Sequence, residues 1–311
     1  MIEIFRNPNY DFIGKRKWAY YVSIAFTLIG IVSLVLKGGL RYDIDFTGGT
    51  LIQVRFEQPA SVDKIRASLS KIGLGESVIQ QFGDPHEFIL RMPLTAERPE
   101  QMGRRVQATM SGDAALGKFE IRRVEFVGPQ VGRDLQLQAL YAVLAGVAGI
   151  LIYIAVRFDF KGGAAAIIAV FHDVLVCLGA LSITNREFSL PVLAALLTII
   201  GYSVNDTIVA YDRLRENRGK SVRGMSFAQQ MNNAVNQTLS RTVLTSLTVL
   251  FSAVILFLFG GRTLEDFAFV LLVGAITGTY STTYVAAAIV VDWTNYVEGR
   301  VRRPKKAVAK A

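Results

Sequence analysis

Six apolar stretches, each about 18 to 25 residues long, limit the folds open to this 311-residue chain. A helix rises about 1.5 Å per residue, so each stretch can cross a hydrocarbon layer of roughly 30 Å. Apolar residues make up 51% of the sequence and charged residues only 19%, which excludes an ordinary soluble globule. The sequence therefore predicts a polytopic α-helical membrane protein with six transmembrane helices, at residues 18–36, 137–156, 164–184, 190–210, 242–259 and 267–291.

The segments between these spans differ in their content of Lys and Arg. If both termini are cytoplasmic, the cytoplasmic segments contain 18 basic and six acidic residues, whereas the opposite side contains 16 of each. Because Lys and Arg are enriched in cytoplasmic loops, this distribution predicts cytoplasmic termini. The net charge of +9 then indicates topology and an attraction to anionic lipids, and it requires no nucleic acid partner. The first span is expected to be a retained anchor, because its apolar run is longer than a typical signal core.

Residues 37–136 form one long loop of domain size between the first and second spans. Its alternating and helical patterns predict six elements in the order β-α-β-β-α-β, at 50–57, 61–72, 77–82, 87–92, 97–110 and 118–126. That order is typical of an α+β ferredoxin-like domain. The expected domains are the N-terminus with the first helix (1–36), this periplasmic domain (37–136), helices 2 to 6 (137–292) and a basic cytoplasmic tail (293–311).

Glycines flank the loop domain on both sides, in the segments 41–50 and 127–134. Glycine permits backbone conformations that other residues avoid. Composition alone leaves two interpretations open, either plain turns or a pair of hinges that join the domain to the spans. The hinge candidates are Gly48, Gly49, Gly128, Pro129 and Gly132.

Ionisable side chains occur inside the spans, where their cost points to a function. They are Asp206 with its neighbours Asn205 and Thr207 in the fourth span, His172 and Asp173 in the third, and Arg241 at the start of the fifth. A carboxylate that alternates between hydrated and dry surroundings binds and releases a proton, whereas Arg stays charged. We therefore predict an ion pathway with Asp206 as carrier and Arg241 as its switchable partner.

Structural roles are the alternatives for each of these groups. Asp206 could form a static ion pair, and Arg241 could be a basic anchor at the cytoplasmic boundary. His172 and Asp173 could form either a proton relay or a packing hydrogen bond. The G-x-x-x-G of Gly274 and Gly278 in the sixth span predicts close helix packing rather than chemistry.

Other kinds of site find no support in the sequence. The single cysteine, Cys177, excludes an intrachain disulfide and a cysteine-cluster metal site. No nucleophile–base pair, metal-ligand spacing or phosphate-binding loop is present. We therefore expect no enzyme activity and no cofactor, with H⁺ as the coupling ion and Na⁺ as an open alternative.

Five ordered motifs resemble those of the SecD/SecF family of preprotein translocase subunits, within the resistance-nodulation-division superfamily. They are DIDFTGG at 43–49, VGPQVG at 127–132, FHD at 171–173, GYSVNDTIVAYDR at 201–213 and NQTLSRT at 236–242. Six spans with one large external domain after the first are also similar to the half-repeat of that superfamily. The resemblance covers nearly the whole chain except the basic tail.

This resemblance implies a function in the Sec pathway of the bacterial inner membrane. In that family such a six-span half pairs with SecD, which supplies six more spans, and associates with the SecYEG channel and YajC. The family uses the proton motive force to pull exported, unfolded polypeptide outward after SecA has pushed it in. The positions that match Asp206 and Arg241 belong to the family's ion pathway.

Two other functions compete with protein export. The first is one half of a small-molecule or lipid efflux pump of the same superfamily, although a loop domain of about 100 residues leaves little room for a drug-binding region. The second is a membrane scaffold without ion coupling. A scaffold gains nothing from buried ionisable groups, so Asp206 and Asp173 disfavour it.

Overall fold

A computed structural model describes residues 5–6, 8–82, 84–93, 97–218 and 225–301. The chain divides into two units, which we call the membrane unit and the loop unit. The membrane unit comprises Met1–Leu40, Val143–Arg186 and Pro191–Ala311, and the loop unit comprises Arg41–Ala142 and Glu187–Leu190. The basic residues predicted at 220, 223 and from 302 onward lie outside the described residues.

The elements follow the chain in a regular order. They are α1 (Arg16–Leu36), β1 (Arg41–Tyr42), α2 (Ile44–Thr47), β2 (Gly49–Phe56), α3 (Val62–Ser70), β3 (Val78–Gln81), β4 (Glu87–Met92), α4 (Pro99–Ser111), β5 (Phe119–Val127), α5 (Pro129–Arg157), α6 (Phe160–Ile183), β6 (Glu187–Phe188), α7 (Leu190–Arg218), α8 (Phe227–Phe259), α9 (Arg262–Ser281), a π-helical segment (Thr282–Ala286) and α10 (Ala287–Val301).

Six helical stretches are long and apolar enough to cross a membrane. They are Arg16–Leu36, Pro129–Ile154, Phe160–Ile183, Leu190–Arg218, Phe227–Phe259 and Leu264–Glu298. Each contains one of the six predicted spans almost completely, so the prediction of a polytopic helical membrane protein is confirmed. The helices extend further than the apolar runs. For example, α8 begins at Phe227 because Ser226 and Gln229 form a capping box in front of its polar first turns.

The loop unit contains every predicted element of the loop domain, each within two residues of the expected bounds. Strands β2 to β5 form one sheet in the order β3-β4-β2-β5, and all neighbouring strands are antiparallel. Helices α3 and α4 bury their apolar faces against this sheet, with Ile65, Leu69, Met102 and Val106 in a common core. Helix α3 is capped by the Ser61 hydroxyl, which accepts from Asp63 N.

A second, two-stranded sheet was not anticipated from the sequence. Strand β1 pairs in parallel with β6, and Arg41 lies opposite Glu187 in the register. Strands of two residues carry no periodic signal, so neither could be recognised by alternation. The segment 187–190 therefore belongs to the loop unit, although the sequence placed it between the third and fourth spans.

Helices of the membrane unit approach each other closely at glycines. A Cβ added to Gly274 of α9 would lie 2.5 Å from Ile199 of α7, and one added to Gly278 would lie 3.1 Å from Ser203. The G-x-x-x-G motif thus marks a real helix contact. It brings the polar residues of α9 against those of α7.

The N-terminal segment lies along α8 and is held there by side-chain amides. Asn232 Oδ1 accepts from Phe12 N at 2.9 Å and from Ile13 N at 3.1 Å. Asn236 both accepts from Tyr10 N and donates to Tyr10 O, each at 2.8 Å. These contacts satisfy backbone groups that precede the first helix.

Candidate ion-coupling site

Asp173 on α6 is a buried carboxylate whose two oxygens both have partners. Its Oδ2 accepts hydrogen bonds from Ser203 Oγ of α7 at 2.6 Å and from Ser281 Oγ of α9 at 2.7 Å. Its Oδ1 lies 3.0 Å from His172 Nδ1. The residue is 1% exposed. Asp173 therefore links three helices through a satisfied polar cluster.

His172 connects this cluster to α1. Its ring centroid lies 6.4 Å from that of Tyr280. The Tyr280 hydroxyl donates to Ala19 O at 2.7 Å and lies 3.1 Å from the Ser23 hydroxyl. The contact predicted between His172 and Asp173 is thus present, and a relay and a packing role remain equally compatible with it.

Asp206 lies one helical turn after Ser203 and is also buried, with 2% exposure. In contrast to Asp173, its Oδ2 has no hydrogen-bond partner among the described residues. An unpaired buried carboxylate oxygen is costly in an apolar environment. Such a group is typical of a site that changes its protonation or its partner.

The neighbours of Asp206 face in different directions. Thr207 is buried, and its hydroxyl lies 3.2 Å from that of Thr282, the first residue of the π-helical segment. Asn205 is exposed instead, so it lies on a different face of α7 from Asp206 and Thr207. Successive residues on a helix are about 100° apart, so three consecutive side chains cannot share one face.

Arg241 does not form the ion pair that was one of the alternatives. Its side chain is exposed, and among the described residues no salt bridge joins it to Asp206, although it lies near enough for its charge to act on this carboxyl. A static Asp206–Arg241 pair is therefore absent from this structure. Whether Arg241 acts as a switchable partner stays a prediction.

Several hydroxyl groups near the site are not among the predicted site residues. Tyr202 donates to Ser246 Oγ at 2.8 Å, and Thr279 Oγ1 lies 2.7 Å from the same Ser246 oxygen. Ser281 donates to Asp173, and the Thr282 hydroxyl lies beside that of Thr207. The signal that could have found them is the run of hydroxyl residues at 277, 279, 281 and 282 in the sixth span. No sequence pattern announces the π-helical turn, although such turns are frequent at functional sites.

The hinge candidates fall into two conformational classes. Gly48 and Gly49 have φ values of 69° and 139°, and a Cβ on Gly49 would lie 2.5 Å from Met92 O. Both positions therefore require glycine. Pro129 and Gly132 instead lie in the first turn of α5, and Gly128 directly precedes that helix. Proline fits there because the first helical position needs no N–H donor.

The entry segment before Gly48 is tied down within the loop unit. Arg91 contacts Asp43 at 3.2 Å and also pairs with Glu187. Asp45 Oδ2 accepts from Leu190 N at 3.3 Å, and burial raises the pKa of the Asp45 carboxyl above its usual value. These contacts hold the segment on which a hinge motion at Gly48 and Gly49 would act.

Two protein-family models match the chain. The model for the C-terminal part of the protein export membrane protein SecD/SecF matches residues 107–296, and the SecD/SecF GG motif model matches residues 35–60. The chain belongs to the SecD/SecF family. The shorter match spans Gly48 and Gly49, and the longer one spans Asp173, Asp206 and Arg241.

Individual relatives agree with this assignment. Protein translocase subunit SecF of Calditerrivibrio nitroreducens is 41% identical over 93% of this chain and 96% of its own length. The Pseudomonas aeruginosa protein of the same name is 40% identical over 92% of this chain and 91% of its own.

A longer relative has a solved structure. SecDF of Thermus thermophilus is 41% identical over 93% of this chain. A crystal structure of SecDF from that organism, described as a translocon-associated membrane protein, matches with a TM-score of 0.82 at 40% identity. The match covers 93% of this chain but 39% of that chain, so the present protein spans about two-fifths of the longer one.

Proposed function

We propose that this chain is a protein translocase subunit of the Sec pathway, in which a transmembrane ion gradient drives an export step through Asp206. The observation that supports the coupling role is the partnerless oxygen of this buried carboxylate, one helical turn from Ser203, which donates to the satisfied carboxylate of Asp173. The names of its relatives support the translocase role, and they favour it over the efflux pump.

SecD is the proposed partner half. The longer relative carries the name SecDF, and this chain matches about two-fifths of it, which supports a second half supplied by another chain. Asn205 and Arg241 are exposed although they belong to spans. Polar side chains at membrane depth normally face protein or water, so a partner half would cover them. SecYEG and YajC are proposed as further partners on the resemblance alone.

The proposed coupling ion is H⁺. A bound cation such as Na⁺ needs several oxygen ligands, whereas a proton needs one carboxylate oxygen. Near Asp206 the described contacts supply hydroxyl groups that are already engaged with backbone or with each other. Coupling to Na⁺ is the alternative against which coupling to H⁺ is tested.

The proposed placement is the bacterial inner membrane with both termini in the cytoplasm and the loop domain in the periplasm. The charge distribution of the segments between spans supports this orientation. The strand order β3-β4-β2-β5 is the one expected for a ferredoxin-like unit and supports that assignment for the loop domain. Such a domain would hold exported polypeptide and move on Gly48 and Gly49.

The test substitutes Asp206 and measures only the gradient-driven step. Inner-membrane vesicles carry a half-threaded export substrate, ATP is depleted, and a proton gradient is then imposed. We expect Asp206→Asn to lose gradient-driven export by at least tenfold, because the side chain keeps its shape but cannot titrate. Asp206→Glu keeps the titratable group and should retain partial export. A sodium gradient in place of the proton gradient separates the two ions.

Two controls make the result specific. Each variant must assemble with SecD as the wild type does, and ATP-driven export must proceed at its normal initial rate. Wild-type gradient-driven rates in Asp206→Asn would remove this residue from the mechanism.

A further inference from the structure

A cavity of about 390 Å³ lies in the membrane unit where α5, α6, α7 and α8 begin or end. It shares no lining residue with the ion-coupling site. Three arginines line it, Arg157, Arg215 and Arg218, against one acidic residue, Asp159. The Asp159 side chain is engaged as the cap of α6, where it accepts from Gly162 N at 3.0 Å. The lining therefore carries a net positive charge.

Aromatic and acidic neighbours contact two of these arginines. Arg157 pairs with Asp212 at 2.5 Å, and its guanidinium lies 5.4 Å from the Phe158 ring centroid. Arg218 lies 5.0 Å from the centroid of Phe227. Stacking on an aromatic ring holds a guanidinium in place. For Arg215, which is exposed, no ion pair is found within the described ranges.

A buried donor without an acceptor also belongs to this lining. Tyr211 is 6% exposed and packs edge-to-face against Phe158 at 5.5 Å. Its hydroxyl is buried and has no hydrogen-bond partner among the described residues. A buried hydroxyl is unfavourable unless an acceptor pairs with it. An oxyanion bound in the cavity would supply that acceptor.

The surroundings of the cavity identify the source of such an oxyanion. Val156 and Phe160, beside the cavity at the ends of α5 and α6, are 85% and 80% exposed. Large exposed apolar side chains at the ends of spans contact acyl chains rather than water. Basic pockets between spanning helices bind the headgroups of anionic lipids. A phosphate there would have apolar surface for its tails alongside it.

We propose that this cavity is a binding site for the phosphate group of an anionic glycerophospholipid. Arg215 contacts the phosphate oxygens beside the positive charge of Arg218, and the Tyr211 hydroxyl donates a further bond. Such a site differs from the diffuse attraction of basic loops to the membrane. Neighbouring arginines should contribute unequally to lipid binding, and a tyrosine substitution that changes no charge should weaken it.

The experiment measures lipid binding to the purified full-length protein in detergent. Short-chain phosphatidylglycerol is titrated, and bound lipid is counted by native mass spectrometry while the thermal unfolding midpoint is recorded. The variants are Arg215→Gln and Tyr211→Phe. Arg213→Gln is the matched control, since Arg213 lies on the same helix but pairs with Glu216 at 2.9 Å and does not line the cavity. Phosphatidylcholine and inorganic phosphate alone are the control ligands.

We expect Arg215→Gln and Tyr211→Phe each to weaken phosphatidylglycerol binding about tenfold, whereas Arg213→Gln changes it by less than about threefold. Without lipid, Tyr211→Phe should unfold at the same or a higher temperature than the wild type, because it removes an unpaired buried hydroxyl. That result separates lost binding from lost folding.

Two results would overturn the proposal. Equal losses in Arg213→Gln and Arg215→Gln, with none in Tyr211→Phe, would show a diffuse surface attraction instead. Equal stabilisation by inorganic phosphate would show that the site takes a free anion and not a lipid.

Discussion

Asp173 and Asp206 are two aspartates at similar burial in the same membrane unit, and their surroundings differ completely. Asp173 accepts from two serine hydroxyls on two other helices and contacts His172. Asp206 leaves its Oδ2 without a partner among the described residues. The two aspartates are linked through α7, because Ser203 donates to Asp173 and lies one turn before Asp206 on that helix.

This difference is the basis for proposing Asp206, rather than Asp173, as the coupling carboxylate. Hydrogen bonds to a charged group stabilise a fold, and a buried group without them weakens it. A protein keeps an unsatisfied carboxylate only where a changing environment uses it. The two aspartates are alike in burial, so the number of hydrogen-bond partners is what distinguishes Asp206 as the proposed coupling residue.

The largest expected effect is on stability, from deleting each carboxylate in turn. Asp173→Ala leaves the Ser203 hydroxyl buried without an acceptor and leaves Ser281 only its 3.2 Å bond to Gly278 O, and an unpaired buried hydroxyl costs about 1–3 kcal/mol. Asp206→Ala removes the same number of atoms from an equally buried site, so the cavity cost is alike in both variants. We expect Asp173→Ala to be less stable than Asp206→Ala by about 3 kcal/mol, measured by equilibrium unfolding in detergent. Equal stabilities would erase the distinction between the two aspartates.

The sequence predicted the elements of both units but not this distinction. Apolar run length and period depend on local residues, so all six spans and the six loop elements could be recognised. Hydrogen-bond partners depend on how each helix is rotated against its neighbours. Ser281 is more than a hundred positions from Asp173, and nothing local indicates that they meet.

The same limitation explains the individual misses. Asn205 was grouped with Asp206 because they are adjacent, yet rotation about the helix turns it outward. Pro129 and Gly132 suggested a loose connection by composition, whereas they begin α5. In contrast, His172 and Asp173 are adjacent in sequence and their side chains are in contact.

A smaller effect is expected from pushing α9 away from α7. Gly274→Ala would place a Cβ 2.5 Å from Ile199, so the helices must separate or Ile199 must change its rotamer. We expect a loss of about 2 kcal/mol in unfolding free energy, together with a weaker hold of Ser281 on Asp173. This change would make Asp173 resemble Asp206.

Gly149→Ala is the matched control for that prediction. Gly149 is also inside a span, on α5, and a Cβ there meets no atom within 4 Å. Alanine favours the helix over glycine by about 0.5–1 kcal/mol, so this variant should be unchanged or slightly more stable. If Gly274→Ala were as stable as Gly149→Ala, the close approach of α9 would not be what holds the Asp173 cluster together.

The smallest effect comes from removing one serine hydroxyl at a time. Ser281→Ala deletes a 2.7 Å hydrogen bond to the Asp173 carboxylate, and the carboxylate keeps its bond from Ser203. We expect a loss of about 1.5 kcal/mol in unfolding free energy, at the low end for a hydrogen bond to a charged group. Ser252→Ala is the control. Ser252 is exposed and, among its described contacts, bonds only to Thr248 O of its own helix, so the loss of unfolding free energy in this variant should be near zero.

Combining Ser281→Ala with Asp173→Ala tests the pair directly, since the double variant should then lose less than the sum of the two single losses. Additive losses would mean that Ser281 stabilises α9 without acting through Asp173, and the satisfied state of Asp173 would then rest on Ser203 and His172.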